Sequence, residues 1–313
     1  MTIFSHSFDN PDKEEREILE RFFKGFDYRG AGYTYIANYI WRTTYCLCWE
    51  EIEGYICMAG ADCISEPTDA VIAMPLTEDG TYDKERLRRA VLECKRRFEE
   101  RKLPFTITLI PEHMVQFLEE AFPGELLFTH EENDDEYVYL KDKLIDLPGR
   151  ALHKKKNHLN YFLRCFDYEA KPITSEMKDE IFALTKKLYS WAETDEDEHE
   201  SLICESEAIE QIMNLIEDKN VYSVAIYIKG ELQAFAIGER LSEDTAVEHF
   251  EKANDEFRGL YQLVCREFCR ALPEEVVYVN REEDMGLQNL RKAKEALRPE
   301  RMEKKYNACF RQA

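Results

Sequence analysis

Apolar residues at helical spacing open the chain's pattern. Ile18, Leu19, Phe22 and Phe23 share one face of a helix predicted over residues 13–26. A short second helix is read over 33–41. Two strands near 44–49 and 55–59 follow on a tight connection, then a third over 70–74. A charged helix over 83–101 carries Leu87, Val91, Leu92, Cys94 and Phe98 as its apolar stripe, and Pro104 stops it. A β-rich run over 105–110, a helix over 112–121 closed by Pro123-Gly124, and strands near 126–130 and 137–140 complete the first half.

The second half repeats that order. Helices are predicted over 152–166, 175–191 and 207–216; the second is capped by Thr174 or Ser175 and has Met177, Ile181, Leu184 and Leu188 on one face. Strands over 221–228 and 231–238 flank Lys229-Gly230, a two-residue hairpin signal. A strand over 246–252, a helix over 257–271 with Phe257, Leu260, Tyr261, Val264 and Phe268 inward, a strand over 276–279, a helix over 286–297 and a strand over 303–310 follow. The turn-rich Asp146-Leu147-Pro148-Gly149 segment marks the expected domain boundary, giving domains over 1–146 and 147–313. Each half reads as helices followed by β-β-β-α-β-α-β. Hairpins mixed with helical crossovers predict an α/β class (α+β mixed sheets).

Charge and cysteine usage narrow the partners. The chain has 313 residues and a net charge of −22, so general nucleic-acid binding is not expected, because phosphate needs a cationic face. Two basic islands break the acidic background. Residues 147–160 hold Arg150, Lys154, Lys155 and Lys156 with no acid, and 285–306 hold seven bases against three acids. Residues 193–200 carry six acids in eight and read as an exposed, mobile loop. No apolar run reaches the ~20 residues of a membrane span, so no integral membrane segment is expected. Residues 1–12 lack the pattern of a secretory signal. The ten cysteines form no C-x-x-C and no zinc-type spacing, so no metal site is predicted. They read as free thiols in a reducing compartment, which makes the expected location cytoplasmic.

A more specific signal begins at the boundary. Gly149-Arg150-Ala151-Leu152-His153-Lys154-Lys155-Lys156-Asn157-His158-Leu159-Asn160-Tyr161-Phe162 fits a G-x-x-x-x-K-[KR]-N-x-[IL]-x-x-F stretch. His249-Phe250-Glu251-Lys252-Ala253, the run Asn280 to Gly286, Leu290-Arg291-Lys292-Ala293-Lys294, Pro299 and Lys304-Lys305-Tyr306 follow in order. As a set these resemble the bacterial family related to the C-terminal domain of phosphatidylglycerol lysyltransferase. The match covers the second half and extends more thinly to Trp41. The resemblance implies two tandem GNAT-like acyl-CoA N-acyltransferase domains, akin to Fem-type aminoacyltransferases. It also implies transfer of an acyl or aminoacyl group to an amine or hydroxyl, from aminoacyl-tRNA or an acyl thioester such as acyl-CoA. A catalytically silent ligand-binding or scaffolding protein with the same fold is the alternative.

Acyl transfer needs a base, donors for the developing oxyanion and an acid for the leaving group. On the strand over 246–252, alternation puts Val247, His249 and Glu251 on one face, so His249 and Glu251 are candidate bases. A structural pairing of Glu251 with Lys252 or an arginine is the competing reading. Asn280 at a strand end is a candidate site residue, Glu283 and Asp284 read as helix caps, and Tyr306 is a candidate general acid. A GNAT enzyme cradles the donor pyrophosphate in a [QR]-x-x-G-x-[GA] turn at a helix start. Here that place reads Glu256-Phe257-Arg258-Gly259-Leu260-Tyr261, with the central glycine kept and acid and bulk at its ends. The first half's counterpart, Glu78 to Asp83, is acidic, so that half is expected to be non-catalytic. Candidate donor contacts are therefore Arg150, Lys154, Lys155, Lys156, Asn157, Lys252, Arg258, Gly259, Arg291 and Lys294. Helical spacing places Arg291 and Lys294 together, with Lys292 turned away.

Overall fold

The computed structural model describes residues 3–8, 13–25, 30–61, 70–190 and 196–311. In chain order the strands and α-helices are β1 (His6–Ser7), α1 (Lys13–Lys24), α2 (Tyr35–Trp41), β2 (Cys48–Ile52), β3 (Tyr55–Gly60), β4 (Val71–Ala73), α3 (Lys84–Glu100), β5 (Thr106–Pro111), α4 (Val115–Ala121) and β6 (Leu126–His130). Then come β7 (Glu136–Leu140), α5 (Lys141–Asp146), α6 (His153–Cys165), β8 (Glu169–Lys171), α7 (Lys178–Tyr189), α8 (Glu196–Met213), β9 (Val221–Ile228), β10 (Glu231–Arg240), β11 (Thr245–Ala253), α9 (Leu260–Ala271), β12 (Tyr278–Asn280), α10 (Gln288–Glu295), β13 (Arg301–Glu303) and β14 (Lys305–Phe310).

These elements form two compact units, one over 1–135 with 303–313 and one over 136–302. The division differs from the expected boundary at 146/147, and the cause is sheet pairing. β7 lies in the second sheet, antiparallel to β12, while β14 sits in the first, between β5 and β6. Each seven-stranded sheet is thus completed by a strand from the other half of the sequence. The orders are β1-β2-β3-β4-β5-β14-β6 and β13-β7-β12-β11-β10-β9-β8. In each, one parallel pair lies at the centre, β4 with β5 and β11 with β12. The crossovers are α3 and α9.

Local chemistry explains the well-predicted elements. Asp83 caps α3 by accepting from the Arg86 amide at 2.8 Å, and Leu87, Ala90, Val91, Cys94 and Phe98 form its buried stripe. Leu92, expected in that stripe, is exposed because it lies one position off the 3-4 spacing. Lys229 and Gly230 both take positive φ, 53° and 81°, as a two-residue hairpin turn requires. In the second unit α9 packs on a sheet face made of small residues. Ala234, Ala236 and Ala246 are fully buried there, and a Cβ at Gly238 would stand 2.9 Å from Phe268 Cζ and 2.0 Å from the Val247 carbonyl.

Two further expectations change. Part of the acidic run read as a loop, from residue 196 on, is the start of α8; residues 191–195 lie outside the described residues. Cys46 is disulfide-bonded, against the reading of all ten cysteines as free; Cys48, Cys57, Cys94, Cys165, Cys204, Cys265, Cys269 and Cys309 are free. No helix among the described residues is long and apolar enough to cross a membrane.

Candidate functional site

Polar side chains that sequence periodicity scatters are gathered in the second unit around β11. A β-bulge does this. Residues directly opposite one another on neighbouring strands share a face. Gly238 of β10 stands opposite Glu248, and Ala236 stands opposite Glu251, so the register shift leaves His249 as the extra residue. Glu248 and Glu251 therefore share the α9 face. The expected grouping of His249 with Glu251 fails, because one inserted residue inverts the alternation. Gly238, a glycine inside a strand, is the sequence signal that marks such a bulge.

On one side His249 is fully engaged. Its Nδ1 lies 2.7 Å from Glu282 and its Nε2 3.0 Å from Glu239, with the ring 1% exposed. Burial alone would lower its pKa, but the two carboxylates outweigh burial and lift it to about 10. At neutral pH the ring is an imidazolium with both nitrogens occupied. It has no lone pair to receive a proton, so the candidate general base is a structural cation.

On the other side Arg281, the residue after β12, grips both acids of the α9 face. Its Nε donates to Glu248, and its Nη2 lies 2.9 Å from Glu251. Burial pulls the guanidinium down, and the two glutamates outweigh that and hold it charged. The pairing of Glu251 with an arginine that competed in the sequence is thus present. It is incomplete, however: Glu248 Oε1 and Glu251 Oε2 are buried without a hydrogen-bond partner. Burial pushes the Glu248 carboxyl up to about 8, opposed by Arg281. Cys265 of α9 places its Sγ within 4.8 Å of both carboxylates. Lys155 approaches from α6, its pKa lowered by burial first and then by Arg281.

The loop after β12 is fixed by Asn280, a candidate catalytic residue, by Asp284, read as a helix cap, and by Arg291 and Lys294, both expected donor contacts. Asn280 is fully buried; it donates to Glu136 at 2.5 Å and accepts from the Glu282 amide at 2.8 Å. Asp284 accepts from Tyr137 at 2.6 Å, from Arg291 at 2.8 and 2.9 Å and from the Gly286 amide at 2.9 Å. Arg291 is the main reason its carboxyl falls to about 2. Lys294 donates to the carbonyls of Arg281 at 2.6 Å, Glu282 at 3.1 Å and Glu283. Arg291 and Lys294 do share a face, as their spacing predicts. They point into the protein and hold a loop in which Glu282, Met285 and Gly286 all have positive φ.

The comparisons with known proteins agree with this architecture. Residues 39–309 match the family described as phosphatidylglycerol lysyltransferase, C-terminal. The chain belongs to that family. It is 26% identical over 175 residues to an uncharacterised protein of Mycoplasmoides gallisepticum, a match that spans 56% of each chain. A crystal structure of a conserved protein of unknown function from Bacteroides thetaiotaomicron is similar over 95% of this chain and 97% of its own, at 26% identity and a TM-score of 0.84. FemX is similar over 93% and 95%, at 9% identity and a TM-score of 0.64. A tandem GNAT protein from the clavulanic acid biosynthesis pathway is similar over 96% of each chain, at 10% identity and a TM-score of 0.55. The fold is the tandem GNAT and Fem-type α/β fold.

Several positions of the family-like motifs serve packing in this chain. Gly259 has φ +96°, and a Cβ there would stand 2.2 Å from the His158 carbonyl of α6. The absence of a side chain at this glycine thus makes room for the α6 backbone. Arg258 lies over the Tyr161 ring at 5.2 Å. Lys252 points to the opposite face from Glu251; its Nζ is 2.7 Å from Glu205 and 5.2 Å from the Tyr189 ring centre. Tyr306 belongs to the first unit, on β14, and donates to Glu112 at 3.3 Å. Arg150, Lys154, Lys156 and Asn157 are exposed on and beside α6, and only Lys156 donates to a neighbouring carbonyl, that of Asp146 at 2.9 Å. Glu248, Arg281 and Cys265 are the site residues that sequence reasoning missed. The bulge hid the first, and the other two approach from elements with no fixed phase relative to β11.

Proposed function

We propose that the protein transfers an aminoacyl group from an ester donor of the aminoacyl-tRNA type to an amine or hydroxyl acceptor. Glu251 takes the acceptor's proton. The observation that carries this reading is the state of Glu251: one oxygen is held by Arg281 and the other is buried without a partner. A carboxylate positioned by one fixed bond, with a second oxygen that Arg281 does not bond, can work as a general base in its ionised form. Removal of the proton lets the acceptor attack the ester carbonyl, and the leaving hydroxyl recovers a proton.

The choice of donor rests on α6. The turn ahead of α9 has Glu256 at its start and Tyr261 at its end, and its Gly259 packs against the His158 carbonyl of α6, which speaks against an acyl-CoA pyrophosphate there. The exposed side of α6 carries Lys154 and Lys156, with Arg150 just ahead of the helix, and residues 149–166 contain no acid. Such a face suits the phosphates of an RNA end on a protein whose overall charge excludes broad nucleic-acid affinity. The family's name, a lysyltransferase, points to the same class of donor. A cytoplasmic location fits that donor.

Thermal unfolding followed with charged tRNA and with acetyl-CoA tests the reading. Charged tRNA should raise the transition temperature, and Lys154→Glu with Lys156→Glu should remove that rise. A rise with acetyl-CoA alone would overturn the donor assignment. No rise with either ligand, together with no labelled product from charged tRNA, would favour a catalytically silent member of the fold.

A further inference from the structure

Two buried carboxylates are bonded by one guanidinium, and a second cation, Lys155, faces Glu251 without bonding to it. Glu248 is 5% exposed and the Glu251 side chain 13%. Arg281 satisfies one oxygen of each acid; Glu248 Oε1 and Glu251 Oε2 are left without partners. Leaving a buried ionised oxygen bare is costly. A single proton placed between the two acids turns one bare acceptor into a donor and satisfies both. We propose that Glu248 and Glu251 hold one proton between them at neutral pH, so that Glu248 sets the protonation of the carboxylate that meets the acceptor.

The neighbours on every side leave the two bare oxygens without a partner. From α9, Cys265 is held as a thiol, first by its contact with Cys269 and then by burial. Tyr261, also from α9, and Tyr139, from β7, are phenols pushed further up by burial. Lys155 faces the group from α6, and among the described residues it forms no ion pair with either glutamate. That leaves Arg281 as the cation bonded to both acids. A divalent metal on Glu248, Glu251 and Cys265 would compete with that guanidinium at close range and would have to displace the thiol proton, so a proton is the better occupant.

Glu248 is a positioning residue in this scheme, acting through Glu251. The inference rests on the proposed site, but its test needs no substrate. Infrared difference spectra of the full chain, recorded from pH 5 to 10, should show one protonated-carboxyl band that disappears as pH passes about 8. The band should be missing from Glu248→Gln and from Glu251→Gln, because removing either acid leaves Arg281 to ionise the other. No such band in the wild type, or its persistence in either variant, overturns the proposal. So does loss of the band on adding zinc at neutral pH with uptake of one ion per chain. If a variant fails to fold, the wild-type titration still decides. In a transfer assay Glu248→Gln should shift the pH profile while Glu248→Ala lowers the plateau, since glutamine can still donate to Glu251. A band without transfer activity would remove the function and keep the proton pair.

Discussion

The two sides of β11 carry the same composition and different chemistry. Each has one cation between two glutamates: His249 with Glu239 and Glu282, Arg281 with Glu248 and Glu251. On the first side the ring nitrogens are both paired and buried. On the second, two carboxylate oxygens are left bare beside Lys155 and Cys265. Buried charge by itself thus does not mark a site. What separates a structural cluster from a reactive one is whether its hydrogen-bonding capacity is used up.

The largest effect should come from Arg281→Met. It removes the only cation bonded to both acids, and breaking a buried pair costs about 3–5 kcal/mol. Urea unfolding near pH 7 would show the loss, and recovery of stability toward pH 5 would identify the cause as two unpaired carboxylates. His249→Gln should cost about 1.5–3 kcal/mol, the value of hydrogen bonds to charged groups. Its pH signature is distinct. The folded pKa of His249 is raised to about 10, above the model-peptide value of 6.5. Its contribution is therefore full below pH 6.5 and is lost as pH rises through about 10. Wild-type stability should fall across that window, and the variant's should fall less. The smallest effect should be that of Gly259→Ala, about 1–3 kcal/mol for strain at positive φ and contact with α6. Thermal unfolding measures it. Acetyl-CoA should not stabilise wild type or variant if the glycine serves packing.

Much of the fold was legible because it rests on local rules. The stripe of α3, the Lys229-Gly230 turn and the order of strands around α9 follow from spacing and turn chemistry. The unit boundary was not legible, since β7 and β14 find their places through long-range pairing. The site was half legible. Glu251, Lys155 and the 280–286 loop stood out as residues. The bulge at His249 inverted the face of β11, and Arg281 received its role only when β12 set it beside β11. Lys294 and Arg291 show the reverse error: a basic run on an acidic chain was spent on holding a strained loop.

The most direct test of the central claim compares Glu251→Gln with His249→Gln in transfer from charged tRNA, with rates taken per folded molecule. Loss of general-base catalysis should lower the Glu251→Gln rate by about 10²–10⁴-fold with donor affinity unchanged, and His249→Gln should stay within a few-fold of wild type. Equal rates for Glu251→Gln and wild type, or a collapse confined to His249→Gln, would contradict the assignment of chemistry to the Arg281 side of β11.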